Sequence, residues 1–482
     1  MGSSGCDGAS NSSATCGYGG EGAGRGETPP TCIPSENADA VGNDCGVFVD
    51  PEAPAGGMGT KENPVGTMGE AVGRLGADRS RIYACAAEFA EEVRLPGGTE
   101  LYGGLECTKG WGYVGDRTKT TLRAPGAGKV ALRLEGGKGT RVSDVQAVAL
   151  DAQGAGESSI AVIAHEVEAE ITGCAFEAGQ GMDGAAGEGY PSVAPAGETG
   201  LDGQDACTAN GVHGGDSVVT RCGVMESISG PGGTGSTIAG GSGSPGAPLG
   251  TMNGGAGEGA SNCTPGTQGE KGKAGVGGAG AIELGTLAKT GYVGTAGRDG
   301  RRGGPGQGGG GGGGAKGGSG ALLCAGATTG GAAGESGGSG GCGGAGGRGG
   351  TAGGSSIALV SVRSSLAFTG VTLRAGGGGQ GGDGGPGQYG GPGGFPGAGG
   401  GMPAGTTNLK LGCSGGPGGK GGMGGQGGGG RGGHSVGIAY RGEAPSTEGV
   451  TFVKGTAGGG GVGADAGGNG APGEQRDVQE FE

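Results

Sequence analysis

The chain is poor in the residues that build ordinary cores: only 32% of its 482 residues are apolar and only 3% aromatic, with Trp111 the single tryptophan. A large conventional hydrophobic core is thereby excluded, and something other than side-chain burial must organise so long a chain. Proline is scarce, 22 residues against 146 glycines, which excludes a collagen triple helix despite the collagen-like glycine content. Basic residues are outnumbered, 31 against 45 acidic, for a net charge of −14. Nucleic acid and anionic lipid surfaces would repel such a chain, so no nucleic-acid partner is expected. No run approaches the roughly 18 apolar residues of a membrane helix, so no transmembrane segment is expected. The N-terminus lacks the basic and apolar regions of a signal peptide.

Cysteine is present in force. Thirteen are spread along the chain with no C-x-x-C pair, a pattern that fits disulfides in an oxidising compartment better than zinc sites. The expected location is extracellular or on the outer surface of a bacterial cell. Export without a leader fits a mature or re-started form, and Ser3-Ser4-Gly5-Cys6 resembles the end of a bacterial lipoprotein cleavage site, in which Cys6 would carry a lipid anchor. The odd count agrees with one cysteine being unavailable for pairing.

Residues 1–44 are rich in Gly, Ser, Asn and Pro and read as a flexible stalk. Between 45 and 111 the text changes to GVFVDPEAPAGGMGTKENPVGTMGEAVGRL and then RIYACAAEFAEEVRLPGGTELYGGLEC. The order is a short strand, a GT..NP..T turn, a helix capped near Thr67 with Glu70 three residues on, and strands ending in YGG. This segment resembles the N-terminal cap of the right-handed parallel β-helix proteins of bacterial surfaces, a branch of the pectin-lyase-like fold. The resemblance implies a helix that plugs the open end of the sheet, whose strand edge would otherwise pair with other chains. Cys85 and Cys107 flank one strand-turn-strand excursion and are candidates for a local disulfide.

The stretch 112–455 contains a repeat. Ser158-Ser159-Ile160-Ala161, ending in Thr172-Gly173-Cys174-Ala175-Phe176, aligns without a gap on Ser355-Ser356-Ile357-Ala358, ending in Thr369-Gly370-Val371-Thr372-Leu373. Weaker copies end at Thr220–Val224, Thr290–Val293 and Glu448–Phe452. Units this short cannot bury a face alone and must stack as a solenoid, with equivalent side chains about 4.8 Å apart. The expected fold is therefore mainly β, a right-handed parallel β-helix with a helical cap and glycine-rich insertions. On this register Cys174 lies over Cys222, as a disulfide or a stacked thiol pair.

The insertions, at about 178–215, 230–280, 297–354 and 375–434 with a glycine-rich tail at 456–482, leave the repeats at the same point and so should leave one edge. Glycine recurs at every third residue within them: 412 through 433, 334 through 349, and 378 through 393. Period three is that of the polyproline II helix, which has no internal hydrogen bonds. Composition alone fits flexible linkers. The triplet period, the scarcity of serine and the cysteines inside the arms (Cys207, Cys263, Cys324, Cys342, Cys413) favour ordered bundles of polyglycine II type, each leg on the order of 75 Å.

Chemistry-bearing residues are few. Asp144, Asp151, Glu166, Glu168 and Glu170 lie near strands at alternating positions and read as solvent-facing; a lyase or hydrolase would need them clustered on one face. His165, His213 and His434 are each isolated. Trp111 reads as a packing residue, and Asn11-Ser12-Ser13 and Asn262-Cys263-Thr264 fit the glycan acceptor pattern. No catalytic residue, cofactor or metal set is expected. The function expected is a structural scaffold for adhesion, matrix or self-assembly, with extracellular polysaccharide or further copies as partners. The alternatives are a binder of a repetitive surface such as a glycan array or ice, and a polysaccharide-cleaving enzyme.

Overall fold

The computed structural model describes residues 32–37, 41–76, 79–248, 250–318, 324 and 326–482. It is mainly β, built on two parallel sheets that the chain visits in alternation. The main path of the large sheet runs in the order Val47–Val49, Arg81–Cys85, Glu100–Glu106, Leu132–Ser143, Ser159–Thr172, Ser356–Val362, Ser435–Arg441 and Gln475–Glu480. The small one runs Glu88–Phe89, Thr120–Arg123, Val145–Val148, Ala175–Glu177, Val371–Ala375 and Val450–Lys454. Between them lies one continuous apolar cluster, from Val47 and Met68 at the start to Phe368, Leu373 and Ile438 at the other end.

The strand Ser159–Thr172 shows how sequence sets exposure. Its second half alternates, with Val167, Ala169 and Ile171 buried against exposed Glu166, Glu168 and Glu170, as expected of a sheet wet on one face. Its first half, SIAVIA, is buried throughout, because a second cluster covers the outer face there: Ile160, Ile163, Ile357 and Val360 pack under Leu287, Tyr292 and Phe481. A six-residue helix, Met68–Gly73, packs at the N-terminal end of the sheets. The Thr67 side chain accepts from Glu70 N–H, while the Glu70 carboxylate accepts from Gly66 rather than from the cap residue itself, and Glu91 accepts from Met68 and Gly69. Trp111 is buried edge-on to Phe48, its Nε1 donating to the Lys61 carbonyl.

The two aligned repeats are adjacent strands, Ser159 opposite Ser356 and Ile160 opposite Ile357. Everything from 178 to 355 is thus one excursion between neighbours in the sheet. Residues 376–434 form a second, between Val371–Ala375 and Ser435–Arg441, and 455–474 a third, before Gln475–Glu480. The exits are in register, with Glu177 opposite Arg374 and Arg374 opposite Val453, and so are the returns, with Ser356 opposite Ser435 and Ser435 opposite Gln475.

Several expectations need correction. The copies near Thr220 and Thr290 are not stacked strands but antiparallel hairpins, Val219–Cys222 with Met225–Ile228 and Thr286–Ala288 with Gly291–Val293; their short apolar motifs serve packing inside the first excursion. Cys174 is not beside Cys222. It is a buried free thiol, whereas Cys222 is bridged to Cys342. The unit aligned 197 residues later puts Thr372, not Cys222, against the strand that follows Cys174, whose carbonyl accepts from Thr372 N–H. Residues 456–482 are not merely a tail, since they end in the last strand of the large sheet. The end of the stalk is also structured, with a short helix Pro34–Asn37 and a disulfide between Cys32 and Cys45. Cys6 and Asn11 lie outside the described residues.

Candidate functional site: the glycine-rich bundle

Glycine-rich segments lack side chains with which to pack, so their backbone amides must find partners elsewhere. They find them in one another. Along 416–428, the amides of Gly416, Gly419, Gly422, Gly425 and Gly428 donate to the leg at 298–310, while those of Gly418, Gly421, Gly424, Gly427, Gly430 and Gly433 donate to the leg at 379–394. Carbonyls of the same leg accept from Gly338, Gly341, Gly344, Gly347, Gly350 and Gly353 on a third leg, and from Gly266, Gly269, Gly272, Gly275 and Gly278 on a fourth. Every ladder advances three residues at a time on both partners.

The run Gly308–Gly314 is the most enclosed. Its amides donate in rotation to three legs: Gly308, Gly311 and Gly314 to Ala247, Ser244 and Gly241; Gly309 and Gly312 to Gly338 and Glu335; Gly310 and Gly313 to Thr267 and Thr264, at 2.8–3.1 Å. Its carbonyls accept from three others: Gly309 and Gly312 from Gly230 and Gly233, Gly310 and Gly313 from Gly416 and Cys413, and Gly311 and Gly314 from Gly255 and Glu258. The Gly308 carbonyl accepts from Asn253 Nδ2. No amide or carbonyl of the run is unpaired. Six neighbours leave no room for a side chain: a Cβ on Gly309, Gly310 or Gly311 would lie 1.8–1.9 Å from a backbone oxygen.

Where a leg has an open side, the third residue of each triplet is no longer glycine. Pro417, Lys420 and Met423 are exposed, but the same position becomes Gly429 where the leg at 468–471 covers it and accepts its amide hydrogen. Three disulfides tie the legs together: Cys207–Cys324, Cys222–Cys342 and Cys263–Cys413. Side chains complete the ladders at the bundle's acidic edge, with Asp183 accepting from Gln380 N–H, Asp202 from Ala398, Asp205 from Gly401 and Asp383 from Val462.

Within the bundle two buried ionisable groups stand out. Glu335 takes the Gly415 amide on one carboxylate oxygen while the other has no partner, and burial pushes its pKa up to about 7. His434 sits where the second excursion rejoins the large sheet, edge-on to Tyr292 and Phe481. Its Nδ1 accepts from Glu474 N–H and its Nε2 donates to the Leu284 carbonyl, and burial lowers its pKa.

The remaining chemistry-bearing residues do not converge. Glu166, Glu168 and Glu170 follow one another along the outer strand face, paired with Arg363, Lys138 and Arg141 respectively. Asp144 is buried beside the Tyr113 hydroxyl and Lys119, its carboxyl raised by desolvation, and Asp151 accepts from Gln180 N–H. His165 lies 3.4 Å from an Arg363 nitrogen, and His213 is exposed on the bundle. Asp50 approaches Cys85 and Cys107, but those sulfurs are joined as a disulfide and offer no thiolate. Asn262 is exposed and accepts from Lys410. The feature that sequence reasoning missed is the enclosed core of the bundle; its signal was the unbroken glycine run at 308–314.

No known family, curated protein or solved structure matches this chain.

Proposed function

We propose that the chain is an extracellular structural scaffold: a right-handed parallel β-helix that sets the register for a slab of polyproline II helices of the polyglycine type. Alternation of the chain between two parallel sheets supports the β-helix reading. Three-residue ladders between legs support the helix type, because only a threefold helix returns the same face to the same neighbour at each triplet. The five disulfides among the described residues fit an oxidising, extracytoplasmic setting, and no helix among those residues is long and apolar enough to cross a membrane. The observation that carries the proposal is the fully paired run Gly308–Gly314, since a glycine tract serving as a loose tether needs no such accounting. The ion-paired strand carboxylates are read as sheet stabilisers rather than catalysts.

Electron microscopy of the purified protein tests this reading. A compact slab flush with a short rod is expected; a rod trailing featureless arms would overturn it. A second reading has its own observation, because Pro386, Tyr389, Pro392 and Phe395 form a row of exposed side chains at three-residue spacing. Such a row suits a repetitive partner, a glycan array or ice, and retention on immobilised polysaccharide or thermal hysteresis would support it.

A further inference from the structure

The third excursion is much shorter than the legs it lies on. Its outgoing leg is held by amides of Gly378, Gly381 and Gly384, which donate to the carbonyls of Thr456, Gly459 and Val462, and by its own Gly458 and Gly461, which donate to Gly433 and Gly430. After Val462 the chain turns back. The two supporting legs continue outward with the same pattern: amides of Gly387, Gly390 and Gly393 on one, carbonyls of Gly427, Gly424, Gly421 and Gly418 on the other. None of these seven groups has a partner among the described residues.

The two supporting legs keep the spacing of the occupied part. A Cβ on Gly381, beside the leg, would meet the Gly430 oxygen at 2.1 Å, and one on Gly387, Gly390 or Gly393 would meet the Gly424, Gly421 or Gly418 oxygen at 2.1, 2.1 or 2.0 Å. Exposed Tyr389 and Phe395 flank this groove on one side, Lys420 and Met423 on the other. It is long enough for roughly ten residues of a threefold helix at about 3.1 Å each.

Resting on the bundle reading above, we infer that this groove receives residues 17–26 of a second copy of the chain, linking copies by addition of one glycine-rich leg. The tract reads Gly17-Tyr18-Gly19-Gly20-Glu21-Gly22-Ala23-Gly24-Arg25-Gly26. On a threefold helix Gly17, Gly20 and Gly26 share one face with Ala23, Gly19 and Gly22 share a second with Arg25, and Tyr18, Glu21 and Gly24 lie on the third. Over residues 17–22 that matches the short leg, which turns Gly458 and Gly461 inward and Val462 outward. The mode is the polyproline II counterpart of strand addition to an open sheet edge.

The chain's own tract cannot reach. The Cys32 carbonyl is fixed by the Tyr83 hydroxyl at 2.7 Å, and the six steps from Gly26 to Cys32 span at most roughly 22 Å. The groove lies five strand spacings up the stack, about 24 Å, and begins twelve residues past Ala375, about 37 Å further out.

The test uses the full chain and a Gly19→Val/Gly22→Val variant, whose changes lie outside the described fold, together with a labelled synthetic peptide of residues 17–28. Sedimentation should show concentration-dependent oligomers for the parent and a monomer for the variant. The peptide should bind the variant saturably and dissociate the parent's oligomers. Equal oligomerisation of both chains, a parent that stays monomeric, or a variant that fails to take up the peptide would overturn the inference. Hydrogen exchange over 412–433 in the same samples separates the two readings: protected amides with no peptide uptake reject the docking alone, and unprotected amides reject the bundle as well.

Discussion

A methyl group on Gly311 would sit 1.9 Å from the Pro231 carbonyl oxygen, with legs on every side and nowhere for either backbone to retreat. Gly311→Ala should therefore destabilise the protein by about 1–3 kcal/mol or more, whereas Lys420→Ala, at an exposed triplet position, should stay within about 0.5 kcal/mol; thermal or denaturant unfolding of the two variants checks the contrast. The buried ionisable groups add a pH dependence with opposed signs. Glu335 in the unfolded chain ionises near its ordinary value of 4.5 but in the fold near 7, so its contribution is fully present at low pH and lost as pH rises through about 7. His434 acts in reverse: its folded pKa lies below the ordinary 6.5, so the unfolded chain takes up a proton first and stability falls as pH drops below that value. Glu335→Gln, which keeps an oxygen for the Gly415 amide, should abolish the loss between about pH 4.5 and 7 and leave the contribution of His434. A melting temperature measured across pH 4–9 would show both contributions, and an unchanged loss in the variant as pH rises from about 4.5 to 7 would contradict the assignment.

At the scale of the element, the glycines of the leg at 412–433 follow its coverage, whereas the enclosed leg at 334–344 keeps Ser336, Ser339 and Cys342 buried at the third position. The leg at 412–433 carries two glycines per triplet with Pro417, Lys420, Met423 and Gln426 outward, and that outward position becomes Gly429 and Gly432 once another leg closes the last side. The period was therefore legible in the sequence, and so was the alignment of Ser158–Phe176 on Ser355–Leu373, which the strand pairing reproduces residue for residue. The order of the legs was not. Period three says that a leg has neighbours but not which ones, since any glycine leg presents nearly the same backbone to any other. That indifference also explains why Cys222 was matched to Cys174 through a shared T-x-C-type motif when its partner is Cys342, 120 residues away. Register has to come from features that differ between legs, and the disulfides Cys207–Cys324, Cys222–Cys342 and Cys263–Cys413 are the clearest of these. Each closes a loop of more than a hundred residues, for which chain entropy gives about 4–5 kcal/mol of stabilisation. Reduction under mild denaturant should accordingly release protease sites in 178–354 before any in the large sheet, as limited proteolysis with mass spectrometry would report; simultaneous cleavage of both regions would contradict this hierarchy.

For the whole molecule, the sheets provide an ordered base and the legs supply the bulk. Exits at Glu177, Arg374 and Val453 lie side by side, as do returns at Ser356, Ser435 and Gln475, so the first layers of the bundle inherit their spacing from the strands. Glycine gives up more conformational entropy on ordering than any other residue, and aligned exits reduce that cost by starting each leg beside its partner. The candidate site was only partly visible beforehand because its chemistry is carried by backbone amides and carbonyls, which every sequence possesses; what distinguishes this chain is where side chains are missing. Hydrogen exchange of the amides of Gly308–Gly314 tests the account most directly. Protection approaching that of the strand Ser356–Val362 is expected, and exchange at the rate of an unstructured peptide would contradict it.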